Sequence, residues 1–247
     1  MENGEKKSKL ITVLDTFGNL FVLNVLFILF SLPVITFGAS LTAMYSTTLK
    51  MVKNEEGGIW KTFWKAFKSN FKKATLVWLM AAVVLVVIAG ELLFAGSVTG
   101  AMSVFYLIVA AIEICVLCLT VGFLPAIIAR YDNTVMNSIK NSLLLAISNL
   151  WSWIKVSLIW FMPIFFTFYY LDVLFIYTWY LWLIFIFALL AYCSSIVIIK
   201  VFDKVTRTQN ANEEEKAEKE KIRQEIAKEK HEKIMNKMKS FENKQDE

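Results

Sequence analysis

The sequence predicts an all-α, polytopic integral membrane bundle. It has about five transmembrane helices, two cytoplasmic amphipathic helices and a charged C-terminal helix. Three observations carry that reading. The 247 residues are 57% apolar and only 19% charged, and several windows exceed the ~18 nearly charge-free residues needed to cross a ~30 Å hydrocarbon core. Those windows lack the period-two alternation of a barrel, so the spans are helices that satisfy their own backbone hydrogen bonds. Lys and Arg gather in Lys50–Lys73 (seven), Arg130–Lys155 (three) and Lys200–Arg207 (three), and are missing from the short turns at 97–101 and 171–172. Under the positive-inside rule the lysine-bearing segments are cytoplasmic.

In order, Leu10–Phe37 forms the first apolar segment, with Leu32-Pro33 expected to kink or end its helix. The preferred arrangement has five spans, with the N-terminus outside and the C-terminus cytoplasmic. Three lysines at 6, 7 and 9 argue for an alternative, a hairpin running Leu10–Leu32 out and Val34–Val52 back. Five spans are favoured because Gly38–Thr48 is weakly apolar for an independent crossing. Gly38/Thr42 and Ala39/Ala43 place small residues four apart, a spacing that lets two membrane helices approach closely. Thr75–Gly96, Met102–Ala129, Trp153–Tyr170 and Val173–Ile199 supply the remaining spans, with a tight turn at Asp172. Residues 1–202 form the membrane domain and 203–247 a charged helical tail, in which 12 basic residues balance 12 acidic ones. The excess of +5 therefore sits beside the membrane, which points away from nucleic acid.

Between the first two spans lies W-K-T-F-W-K-A-F-K-S-N-F-K-K at 60–73. Trp60, Phe63, Trp64, Phe67 and Phe71 share one helical face; Lys61, Lys65, Lys68 and Lys72 lie off it. Such a helix is suited either to lying on an anionic inner leaflet or to docking on a partner subunit. Thr134–Ser152 is the second amphipathic stretch.

Candidates for chemistry are few. The nine glycines form no phosphate-cradling motif, and the one histidine, His231, lies in the tail, so no catalytic residue, metal site or cofactor is expected. Cys115 and Cys118 read as small packing residues. Glu113, eleven residues into its span, falls about 16 Å deep at the helical rise, where a charge costs ~2.5–3.5 kcal/mol. With Glu91 and Asn24 it forms a candidate substrate or ion path; the plainer reading is an interhelical hydrogen bond from Glu113 to Asn24 or Thr120. Aromatic residues from Phe165 to Trp182 read as an interfacial belt.

The run Leu32–Tyr45, L-P-V-I-T-F-G-A-S-L-T-A-M-Y, followed at 54–74 by N-E-E-G-G-I-W-K-T-F-W-K-A-F-K-S-N-F-K-K-A, resembles the YesL-like family. These are small multispan membrane proteins of Gram-positive bacteria, classed as a domain of unknown function. The long charged tail departs from that pattern. The resemblance implies a non-enzymatic accessory subunit of an ABC-type oligosaccharide importer in the bacterial cell membrane, with sugar permease subunits as partners. In that role Gly38–Ala43 would pack against the permease helices. A small stand-alone transporter or channel, or a scaffold or sensor acting through the tail, are the alternatives. Oligomeric state is open.

Overall fold

Pro33 decides how the first apolar segment ends. It has no N–H to continue a helix, and in the computed structural model, which describes residues 2–55, 57–169 and 180–242, helix α1 (Glu2–Ser31) stops just before it. A 3-10 turn, Val34–Thr36, follows. There the Thr36 hydroxyl donates to the carbonyls of Phe30 (2.6 Å) and Pro33 (2.7 Å), occupying acceptors that the broken ladder leaves open. The chain then doubles back as α2 (Phe37–Val52). The Ser40 hydroxyl donates to the Phe27 carbonyl at 3.0 Å, while residues 14–19 of α1 share a cleft with Met51 and Asn54 beyond the other end of α2. The two helices are therefore antiparallel. The break expected at Leu32-Pro33 is present, and it opens the hairpin of the alternative arrangement, though at 16 residues α2 is shorter than a full crossing.

Asn54, at φ 54°, closes α2 in the left-handed region. Gly58, at φ 97°, opens α3 (Ile59–Ser97), a conformation that favours glycine. Helix α3 merges two elements that the sequence reading separated, since the amphipathic stretch 60–73 runs without interruption into the second span. Its 39 residues extend about 58 Å at 1.5 Å per residue, well beyond a ~30 Å hydrocarbon core. Helix α4 (Ala101–Arg130) returns alongside it, with Phe94 against Tyr106 and the Ser103 hydroxyl donating to the Ala95 carbonyl. Helix α5 (Val135–Ser148), capped by Thr134, packs on α4 through the Ser142 hydroxyl, which donates to the Thr120 carbonyl. Helix α6 (Leu150–Tyr169) follows, and a π-helical turn, Trp182–Ile186, leads into α7 (Phe187–Glu242). The turn expected at Asp172, the span boundaries at Tyr170 and Val173, and the aromatics at 170–179 lie outside the described residues.

Among the described residues, five helices have the length and composition to cross a membrane: Val13–Ser31, Ile59–Ser97, Ala101–Arg130, Leu150–Thr167 and Trp182–Ile226. The chain divides into two compact units, Met1–Ile199 and Lys200–Glu247, the boundary falling inside α7. In the second unit Lys219 pairs with Glu215 one turn earlier, as the charge pattern of the tail favours.

Candidate functional site

The first unit is built around α2. It packs on α1, α3 and α4, reaches α6 where the Trp160 indole N–H donates to the Tyr45 hydroxyl (2.9 Å), and reaches α7 where Thr48 and Ser195 share a hydrogen bond of 2.7 Å. Eleven of its sixteen residues are buried, among them Ser40, Thr42, Tyr45, Ser46, Thr47 and Thr48. A central helix touched by five others leaves little room for long side chains, and the short residues of G-A-S-L-T-A meet that demand. A Cβ at Gly38 would lie 2.6 Å from both the Ala74 carbonyl oxygen and the Trp78 Cβ, so only glycine fits where α2 meets α3. Ala39, Thr42 and Ala43 are likewise buried within the chain. The small-residue stripe is thus consumed by internal packing, and the permease-facing role expected of it is not available to these side chains.

Asn24 is fully buried and holds the other unusual backbone feature. A π-helical turn interrupts the regular i→i−4 ladder and shifts its backbone partners. The Asn24 amide donates to the carbonyls of Trp182 (2.9 Å) and Leu183 (2.8 Å), and its oxygen accepts from the Ala188 N–H (3.0 Å). One side chain on α1 therefore completes the entry to α7. With both amide protons and its oxygen engaged, Asn24 serves the backbone of another helix and is not an open wall of a path.

Glu91 and Glu113 are placed apart from this centre. Each has one carboxylate oxygen, Oε2, that is buried and lacks a hydrogen-bond partner among the described residues. The expected bonds from Glu113 to Asn24 or Thr120 do not form: Asn24 is committed to α7, and the Thr120 hydroxyl donates to the Val116 carbonyl at 2.7 Å. Both glutamates lie on the stretch of α3 and α4 that the rest of the bundle leaves exposed.

The aromatic stripe of α3 is divided. Phe63 and Phe67 are buried, and Phe30 of α1 sits among Trp60, Phe63, Trp64 and Phe67 with ring centroids 5.0–6.4 Å apart. This face is therefore largely a contact within the chain, while Trp60 stays 56% exposed and Phe71 36%. Lys61, Lys65, Lys68 and Lys72 remain exposed, with Lys68 lying 4.6 Å from the Trp64 ring centre. Lys73 pairs with Asp132 at 3.0 Å, tying α3 to the segment after α4. No cluster of His, Cys, Asp and Glu suited to a metal occurs among the described residues.

The sequence reading passed over Tyr45, Thr48, Trp160 and Ser195. The available signal was Tyr45-Ser46-Thr47-Thr48, four consecutive side chains bearing hydroxyls within an apolar stretch, and such a run is expensive unless its members face protein.

Compared with known proteins, residues 20–92 match a family model described as "Protein of unknown function, DUF624". The match covers the C-terminal part of α1 from Leu20, all of α2 and α3 as far as Leu92, so it contains Asn24, Pro33, Gly38 and the aromatic–lysine face but stops short of Glu113. No curated protein and no solved structure matches the chain. Its similarity to the DUF624 family thus rests on the α1–α2–α3 unit, the part whose packing depends most on α2.

Proposed function

We propose that this multi-pass helical protein is a non-enzymatic accessory subunit of an ABC-type oligosaccharide importer, serving carbohydrate utilisation at the bacterial cell membrane. The observation that carries the reading is the filled centre. Helix α2 occupies it with Ala39, Ala43, Met44, Thr47 and Thr48 at 0% exposure, packing that favours a supporting subunit over a solute pathway through one chain. The importer association is what the resemblance of residues 32–74 to the YesL-like family implies. With the stripe at Gly38–Ala43 enclosed, the permease contact falls to the outer apolar faces of α3 and α4. The lysine-bearing ends and the C-terminus are cytoplasmic. The α1–α2 hairpin, which returns the chain toward its start, supports the alternative arrangement with the N-terminus on that same side over the preferred one with it outside, as positive-inside bias also favours.

Purification in mild detergent from the native membrane should recover permease subunits, and deletion should lower uptake of one glycan. Normal uptake with no permease recovered would remove the proposal. The buried, unpartnered carboxylate oxygens of Glu91 and Glu113 favour a second reading, a small stand-alone transporter. In that case Glu113→Gln abolishes flux in reconstituted vesicles, whereas an accessory subunit gives no flux of its own with either residue.

A further inference from the structure

A separate feature lies where the C-terminal ends of α2 and α4 meet. Ser46, Leu49, Lys50, Lys53, Glu55, Ala129 and Arg130 line a cleft of about 320 Å³. Lys50 and Lys53 set two positive charges against the Glu55 carboxylate on its wall, and Arg130 lies beside them. Basic residues at helix C-termini ordinarily answer the helix dipole and the open carbonyls there. Here the backbone meets part of that need: the N–H groups of Lys53 and Glu55 donate to the Lys50 carbonyl, that of Asn54 to Met51, and that of Tyr131 to Ile127. Neither Lys50 nor Lys53 forms an ion pair among the described residues, so both charges are open to a ligand in the cleft. Arg130 lines the cleft from the α4 side, its guanidinium carbon 5.7 Å from the Tyr131 ring centre.

The cleft also contains a hydroxyl. Ser46 is 7% exposed, lines the cleft, and forms no hydrogen bond among the described residues. A nearly buried hydroxyl beside two lysines and an arginine matches the oxygens of a phosphate group, which accept hydrogen bonds from all four side chains. We infer that this cleft binds a phosphate-bearing anion, with Lys50, Lys53 and Arg130 supplying charge and Ser46 a directional donor. The same chemistry serves an anionic phospholipid headgroup and a soluble phosphate, and basic clefts between membrane helices recognise headgroups in this way.

The test uses the full chain in nanodiscs and in detergent. In nanodiscs of phosphatidylcholine with a minor share of phosphatidylglycerol, lipids retained after extraction are identified by native mass spectrometry. In detergent, inorganic phosphate is titrated while the melting temperature is read. At about fivefold per cation removed, Lys50→Gln with Lys53→Gln lowers anion affinity roughly twenty-fivefold, and Ser46→Ala lowers it with the charge unchanged. Lys61→Gln with Lys65→Gln removes the same charge from exposed positions and leaves the site intact. Retained phosphatidylglycerol that the cleft variants lose identifies a headgroup site. A phosphate-dependent rise in melting temperature that the same variants lose identifies a soluble phosphate site. Equal loss in the Lys61/Lys65 variant, or no anion preference in either format, overturns the inference. Because Ser46→Ala is small and charge-neutral, it keeps the test decisive if the double lysine variant fails to fold.

Discussion

Helix α2 and the outer stretch of the α3–α4 pair are both apolar, yet they pack in opposite ways. In α2, eleven of sixteen residues are buried and most of those are small or carry hydroxyls. From 78 to 97 on α3 only Ile88 and Ala95 are buried, and from 101 to 119 on α4 only Ala110. Much of the remainder is Val, Leu, Ile and Phe turned outward, as at Val86 (72% exposed) and Leu93 (78%). Lipid tails are as apolar as leucine, so large aliphatics gain little by leaving them. Close backbone approach and interhelical hydrogen bonds bring membrane helices together instead, and these require Gly, Ala, Ser and Thr. In this chain moderate hydropathy marks the interior and high hydropathy marks the lipid face.

The largest effect that would break this contrast is expected at Gly38. A Cβ there collides with the Ala74 backbone, which cannot rotate away. Gly38→Leu should cost about 3 kcal/mol, the upper end for overpacking, and lower the melting temperature in detergent. Gly90→Leu and Gly96→Leu, which meet nothing within 4 Å, should leave it nearly unchanged. Equal shifts at all three positions would erase the distinction between core and lipid face.

Next in size is Asn24→Leu, which strands two carbonyls and one N–H at the entry to α7. A loss of about 2 kcal/mol is expected, with hydrogen exchange at the Ala188 amide accelerated by a similar free energy. Protection that is unchanged at Ala188 would show that the π turn holds without Asn24. Thr48→Val should cost about 0.6 kcal/mol, a typical interhelical hydrogen bond in a membrane protein. A double-mutant cycle with Ser195→Ala reads that coupling, and strict additivity would remove the bond from the account. Smallest of all, Val86→Ala should stay within about 0.5 kcal/mol, measured in the same thermal assay. A larger loss there would reveal a protein neighbour on the outer face.

Much of the fold was legible without coordinates because length and hydropathy report directly on solvent transfer. The spans on α3 and α4 follow from runs such as Leu76–Ile88, the break at Pro33 from its missing N–H, and the closing of α2 near Lys53 from the polar Lys53–Glu56 segment. Less of the site was legible. Small residues at Gly38, Ala39, Thr42 and Ala43 announce a close contact but not its partner, which is α3 of the same chain. The aromatic face at 60–73 has one periodicity whether it meets lipid, another subunit or Phe30. Asn24 reads as a polar residue in a span, and nothing local tells that its partners are 158 to 164 residues away.

The sequence by itself determined that this chain crosses a membrane as helices, where the spans lie, and that its excess of basic charge flanks them, since each follows from local composition and the cost of placing polar groups in hydrocarbon. Only the tertiary structure decided that the hairpin at Pro33 sends α2 to the centre, that Asn24 completes a π turn in α7, and that Lys50, Lys53, Arg130 and Ser46 converge. Those outcomes depend on which helix faces meet across long separations in the chain. Periodicity describes a face; its neighbour is set by packing.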